Sequence, residues 1–258
     1  MKILLQYWKL NFLSLIEYKL NFLIEISSMI LNDILFVSIW YMFFMKFWSI
    51  WWMNFWEYAI LMSIMVIIFA YVHIFFWNYQ SIWIMIEEWK LDSHLLLPKN
   101  ILLRLLSGKM ITSAFWDLIF WIMLMFFIPN LTILIVFKIL ILSFIGSLVF
   151  IWFLLIFVSL SFYFWSSKNL IRWIFESILW PSHYPPNIFE WTVLKYLFMT
   201  IIPVYFVVFL PYELVSNFSF IWFIYLILAT LLFLSLWVTI FFRWLKRYES
   251  GNMINTNI

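Results

Sequence analysis

The sequence predicts an all-α polytopic membrane protein with about six transmembrane helices. Of the 258 residues, 67% are hydrophobic and 10% are charged, so the chain lacks the polar side chains that a water-soluble domain needs on its surface. Several apolar stretches reach the roughly 20 residues that a helix requires to cross a bilayer. We therefore expect residues 1–258 to form a single transmembrane domain.

Five apolar stretches are predicted to cross the membrane, and they lie at residues 22–47, 58–78, 110–128, 131–165 and 218–242. Pro129 and Asn130 provide a tight turn between the third and fourth stretches. The fourth stretch exceeds the length of an upright crossing, so we expect it to tilt, to protrude or to break near Gly146.

The distribution of basic residues predicts that both termini are cytoplasmic. With that orientation the inner side holds most of the cations, namely Lys2, Lys9, Lys19, Lys90, Lys99, Arg104, Lys109, Lys168, Arg172, Arg243, Lys246 and Arg247. Lys46 lies outside, which agrees with the positive-inside rule. Residues 1–20 carry their polar side chains along one narrow arc, and this pattern predicts an amphipathic helix on the membrane surface.

The remaining span has two possible positions. Residues 194–215 are apolar enough to cross, although Pro203 and Pro211 break the stretch, and residues 169–184 would then form a surface helix. In the second arrangement, residues 169–184 are a polar fifth span and residues 184–217 form a re-entrant region on the outer side. Broken helices are tolerated within membranes where protein surrounds them.

The sequence carries no motif for nucleotide, metal or peptide chemistry. His73, His94 and His183 lie in separate segments outside any His-Glu-x-x-His pair, and the chain has no cysteine, so we expect no metal site and no cofactor. It also lacks a Gly-x-x-x-x-Gly-Lys-Ser/Thr loop and a Gly-x-Ser-x-Gly elbow. These missing motifs argue against an enzyme. The net charge of +3 comes from scattered residues, which argues against a nucleic-acid partner.

Polar residues inside the predicted spans are candidate functional groups because burial of charge in lipid is costly. Glu25, Ser28 and Asn32 repeat at helical spacing in the first span, beside Asp33, and Asp117 lies in the third. These residues either line a substrate path or bond to neighbouring helices or to a second subunit.

The longest polar segment is the loop of residues 79–109, and it is the best candidate for docking a soluble partner. Residues 91–100 read Leu-Asp-Ser-His-Leu-Leu-Leu-Pro-Lys-Asn, which resembles the Leu-Asp-x-x-Leu-Leu-Arg-Pro-Leu-Asn signature of a bacterial ABC-2 type permease family. Tyr184-Pro185, Pro203 and Pro211 resemble the second half of that family, and residues 243–251 resemble its ending.

This resemblance implies a six-span permease of an ABC transporter, an exporter in the bacterial inner membrane, surrounded by lipid. It also implies a homodimer or a heterodimer with a related permease, re-entrant outer segments, and a coupling loop that contacts a separate ABC ATPase. The coupling residues would be Lys90, Leu91, Asp92, Leu95, Leu96, Pro98 and Asn100. The leucines would enter an apolar groove, while Asp92 and Lys90 would set the register. A non-transporting membrane assembly or immunity protein is the alternative.

Overall fold

A computed structural model describes residues 9–10, 13, 19–49, 53–88, 90–96, 101–106, 108–109, 111, 113–163, 168–190, 192–246 and 248. Within these residues the regular elements are all helical. The predicted surface helix of residues 1–20 lies mostly outside the described residues.

The α-helices, numbered along the chain, are α1 Lys19–Phe47, α2 Phe55–Phe75, α3 Tyr79–Glu87, α4 Asp92–Leu95, α5 Ile101–Leu106, α6 Ser113–Met125, α7 Ile133–Val158, α8 Lys168–Ser182, α9 Val193–Thr200, α10 Leu210–Ser216 and α11 Phe220–Leu245. Shorter elements are the 3-10 helices Ser159–Phe162 and Pro186–Ile188 and the π-helix Tyr205–Phe209.

Four helices are long and apolar enough to cross a membrane: α1, α2, α7 with its 3-10 extension, and α11. The segment from α9 to α10 passes the same test only as a pair bent by 78°, which makes it a broken span or a re-entrant loop. The third predicted span contains a shorter helix, because α6 has 13 residues.

Local capping determines where α2 begins. The Glu57 backbone N–H donates to Asn54 Oδ1 at 3.0 Å, and the Asn54 N–H donates to Glu57 Oε2 at 2.9 Å, which together form a capping box. The helix ends at Phe75, earlier than the predicted residue 78, and α3 follows after a short turn.

The fourth predicted span is one continuous helix through Gly146, without the break that was considered there. The chain turns before it, with Asn130 at a φ of 60°, a conformation that asparagine tolerates better than most residues. The Ile135 N–H then donates to Thr132 Oγ1 at 3.4 Å, so Thr132 caps the helix. The extra length ends as the 3-10 turn Ser159–Phe162.

The bundle has two ends, which we call the loop side, where α3, α4 and α5 lie, and the hairpin side, where Asn54 and Pro129 lie. Helix α8 packs beside α7, and the α8 segment contacts α2 at two positions. On the loop side the Phe175 ring lies 6.2 Å from that of His73, measured between centroids. Towards the hairpin side the Tyr58 hydroxyl donates to the His183 carbonyl at 3.0 Å.

The π-helix and α10 pack against the hairpin half of α7. Lys138 Nζ donates to the Val215 carbonyl at 3.3 Å near the start of α7. The Val207 carbonyl lies against Gly146, about 12 Å further along α7 at 1.5 Å per residue. The segment from Val207 to Val215 therefore runs from the middle of the bundle to the hairpin side, where α11 starts.

Candidate functional site

The predicted coupling segment is held to the loop side by its own backbone and by a buried leucine. The N–H groups of Lys90 and Leu91 both donate to the Met85 carbonyl, at 2.9 and 3.1 Å. Leu91 is fully buried and belongs to the apolar core. Arg104 on α5 is also buried, and its Nη1 donates to the His94 carbonyl at 3.0 Å. Helix α4 is therefore anchored at both ends.

A residue just beyond α11 reaches the same segment. Tyr248, which follows α11, packs on Phe162 with 6.3 Å between ring centroids. Burial and the nearby Asp92 carboxylate raise the pKa of the Tyr248 phenol, so it stays neutral and keeps its proton. Tyr248, three residues beyond α11, therefore interacts with the first residue of α4.

The exposed surface of this segment carries both apolar and charged side chains. Leu96 is 84% exposed and Leu95 is 42% exposed, and beside them Lys90 and Glu88 form an exposed ion pair. Pro98 and Asn100, which also belong to the predicted coupling set, lie outside the described residues.

His94 in α4 is held in its neutral form. Burial and the positive charge of Arg104 lower the pKa of its imidazole below 6.5. A neutral ring is compatible with the adjacent guanidinium, whose own partner is the His94 carbonyl.

The polar residues of α1 separate into two groups. Asp33 is buried, and the Trp121 indole N–H of α6 donates to its Oδ1 at 3.4 Å. Asp117 lies one turn before Trp121 on the same helix, near enough to Asp33 for the two carboxyl groups to interact. Among the described residues, Asp33 Oδ2 and Asp117 Oδ1 have no hydrogen-bond partner.

The other group faces away from the chain's own helices. Glu25, Ser28 and Asn32 are all exposed on α1. The three residues at helical spacing therefore share exposed surroundings, whereas the adjacent Asp33 turns towards α6.

The hairpin side contains a cavity of about 250 Å³ that was not predicted from the sequence. Its walls come from the segment before α9, from α9 itself, from the π-helix and α10, and from the start of α11; they are Pro186, Phe189, Glu190, Lys195, Phe198, Met199, Tyr205, Phe209, Glu213 and Trp222. Pro203 and Pro211, predicted as breaks, are both buried and flank the π-helix. Pro203 lies at the 78° bend between α9 and the π-helix, whereas Pro211 lies in the first turn of α10.

Inside the cavity the Tyr205 hydroxyl donates to Glu213 Oε2 at 2.8 Å. The sequence signal was weak because aromatic residues occur throughout the chain. The spacing of Tyr205 and Glu213 identifies a pair only once the π-helix continues into α10.

No group of three or more His, Cys, Asp or Glu residues in the described part of the chain could hold a metal ion. A family model described as ABC-2 family transporter protein matches residues 30–251, from the first span to beyond the last. Searches of curated proteins and of solved structures give no significant match. Because the family match covers most of the sequence, this multi-pass membrane protein belongs to the ABC-2 transporter family.

Proposed function

We propose that the chain is the permease subunit of an ATP-driven exporter in a bacterial inner membrane, with both termini in the cytoplasm. The family match over residues 30–251 is the observation that carries this proposal. ATP hydrolysis takes place on a separate ABC ATPase, which docks on the loop side and drives alternating access by rigid-body motion.

Helix α4 is the proposed docking surface. An exposed leucine such as Leu96 gains free energy when a partner covers it, and its anchored helix loses little entropy on binding. Leu95 would enter the same apolar groove on the ATPase, and Lys90 would set the register of docking. Leu91 is already covered by this chain, so its part is to hold α4 in position.

The packing of α8 supports the second of the two arrangements for the fifth span. Phe175 of α8 contacts His73 near one end of α2, and His183, the residue after α8, contacts Tyr58 near the other end. The segment between Val207 and Val215 starts at the middle of α7 and returns to the hairpin side. We therefore propose six spans, with residues 184–217 re-entrant from the outer side.

We also propose that α1 contacts a second permease subunit, either a copy of this chain or a related one. Glu25, Ser28 and Asn32 would otherwise face hydrocarbon, which costs several kcal/mol for a charged group on some scales. Asp33 and Asp117, between α1 and α6, would then lie close to the subunit interface and to a path along it.

The docking proposal is tested by copurifying the chain with its ABC ATPase and measuring ATP hydrolysis with and without the permease. Leu96→Ala should weaken binding about tenfold, in the range expected for a moderate interface hot spot. Val193→Ala is the matched control, since Val193 is also strongly exposed but lies beyond α8 near the hairpin-side cavity. Asp92→Ala should also reduce the stimulation, because Asp92 begins α4 and interacts with Tyr248.

Unchanged stimulation in both the Leu96 and the Asp92 variants would reject α4 as the docking surface. Binding of an ATPase without any change in its hydrolysis would favour the non-transporting alternative.

A further inference from the structure

The hairpin-side cavity combines aromatic walls with charged groups, and neither is explained by contact with an ATPase on the loop side. Packing among the rings fixes the walls. Phe189 lies 5.0 Å from Phe198 and 5.9 Å from Phe209, measured between ring centroids. On the other wall, Tyr205 lies 6.2 Å from Trp222 of α11. The space is therefore bounded by ring surfaces from four different segments.

The cavity carries more negative than positive charge. Glu190 and Glu213 contribute two carboxylates, and Lys195 contributes one ammonium. The Tyr205 hydroxyl fixes the Glu213 carboxylate by donating to Oε2, so the negative charge has a defined position on the cavity wall. An anionic guest would meet two like charges here, whereas a cation would meet an excess of opposite charge.

We propose that this cavity binds a small organic cation with an apolar body, such as a compact quaternary ammonium compound. Aromatic faces attract a cation through their quadrupole and tolerate a quaternary nitrogen that carries no hydrogen-bond donor. Glu213 supplies the counter-charge and the phenylalanine rings cover the apolar body. At about 250 Å³ the cavity is smaller than the ~300–1,000 Å³ typical of drug-sized sites, which sets the size of the guest.

Ligand binding in this cavity does not depend on the proposed coupling to an ATPase, because it can be measured on the purified chain alone. A failure of one proposal leaves the other standing.

The test is calorimetric titration of the full chain, in a maltoside detergent free of choline lipids, with benzyltrimethylammonium. Benzyl alcohol, which has the ring without the charge, and benzenesulfonate, which has the opposite charge, should bind at least tenfold more weakly. Glu213→Gln should weaken binding of the ammonium about tenfold through loss of the counter-charge.

Lys195→Gln supplies the matched variant, since it neutralises the opposite charge in the same cavity and should tighten binding about threefold. Opposite shifts from two neutralising substitutions in one site cannot come from general misfolding. Glu25→Gln on α1, outside the cavity, should leave binding unchanged.

Weaker binding in Lys195→Gln would overturn the proposal, since the site would then recognise an anion or a zwitterion. Equal affinity for benzyltrimethylammonium in the parent chain and in Glu213→Gln, or an absence of binding to the parent chain, would overturn it as well.

Discussion

Gly146 lies where the π-helix Tyr205–Phe209 packs against α7. A Cβ at this position would come within 2.4 Å of the Val207 carbonyl oxygen and 3.2 Å of Ile68 Cδ1. The first of these atoms belongs to the backbone, so it cannot rotate away as the end of a flexible side chain would. The absence of a side chain therefore permits the close approach of these two segments.

We expect Gly146→Ala to lower the stability of the protein. Replacing glycine by alanine inside a helix stabilises that helix by roughly 1 kcal/mol. Overpacking destabilises the fold by about 1–3 kcal/mol. Because the added methyl group meets a backbone oxygen, we expect the destabilisation to be the larger effect. The change is read as a lower midpoint of thermal unfolding in detergent.

Ser143→Ala, one turn earlier on α7, is the control, because it removes a buried hydroxyl that has no hydrogen-bond partner among the described residues. It should be neutral or slightly stabilising. A midpoint for Gly146→Ala equal to or above that of the parent chain would contradict the close packing.

At the scale of elements, α8 is the helix whose position decides the topology. Its 15 residues cover about 22 Å at 1.5 Å per residue, less than the ~30 Å of hydrocarbon. The Arg172 Nε to Glu176 Oε1 distance is 2.8 Å, so these two charges are paired across one turn of the helix. Such a helix can cross only where protein surrounds part of its surface.

The topology is tested with single cysteines, which can be assigned without ambiguity because the chain contains none of its own. Lys168→Cys should react with an impermeant maleimide from the cytoplasmic side, and Tyr184→Cys from the outside. Leu96→Cys and Trp48→Cys serve as reference positions for the two sides, because both are exposed and keep the same side in either arrangement. Labelling of positions 168 and 184 from the same side would place α8 on the membrane surface.

At the scale of the whole molecule, α1 has an unusual position. It is long and apolar enough to cross the membrane, yet little of it is covered by the rest of the chain. Its buried contacts are concentrated at Asp33 and at Phe44 near its end. A helix with so little burial and with exposed polar groups is expected to be completed by another protein chain.

A photoreactive amino acid placed at Ser28 should therefore capture a second permease subunit, and the mass of the product will distinguish a copy of this chain from a relative. The same group at Leu232, exposed on the apolar surface of α11, should yield mainly lipid adducts. Lipid adducts alone at position 28 would contradict the proposed subunit contact.

Hydropathy located the long spans well, because transfer of apolar side chains into lipid depends mainly on local composition. The predicted first span, residues 22–47, matches the apolar part of α1, and the predicted last span overlaps α11. The turn at Asn130 was also predictable, since turn chemistry is local. The helix of the third span is shorter than the apolar stretch that predicted it, since α6 has 13 residues and the stretch covers residues 110–128.

Leu91 shows what local sequence did not reveal. It belongs to the same motif as Leu96, but one is fully buried and the other is 84% exposed, because α4 packs one side on the chain's own core. The same applies to Asp33 and Asn32, adjacent residues with opposite surroundings.

The sequence by itself determined that the chain is a membrane protein and which family it belongs to. It also located the long helices to within a few residues. The tertiary structure alone decided that Asp33 lies against Trp121 and near Asp117, that α8 packs beside α7, and that Glu213 and five aromatic rings line one cavity. Hydrophobicity acts on each segment separately, whereas these groupings depend on contacts between residues far apart in the chain.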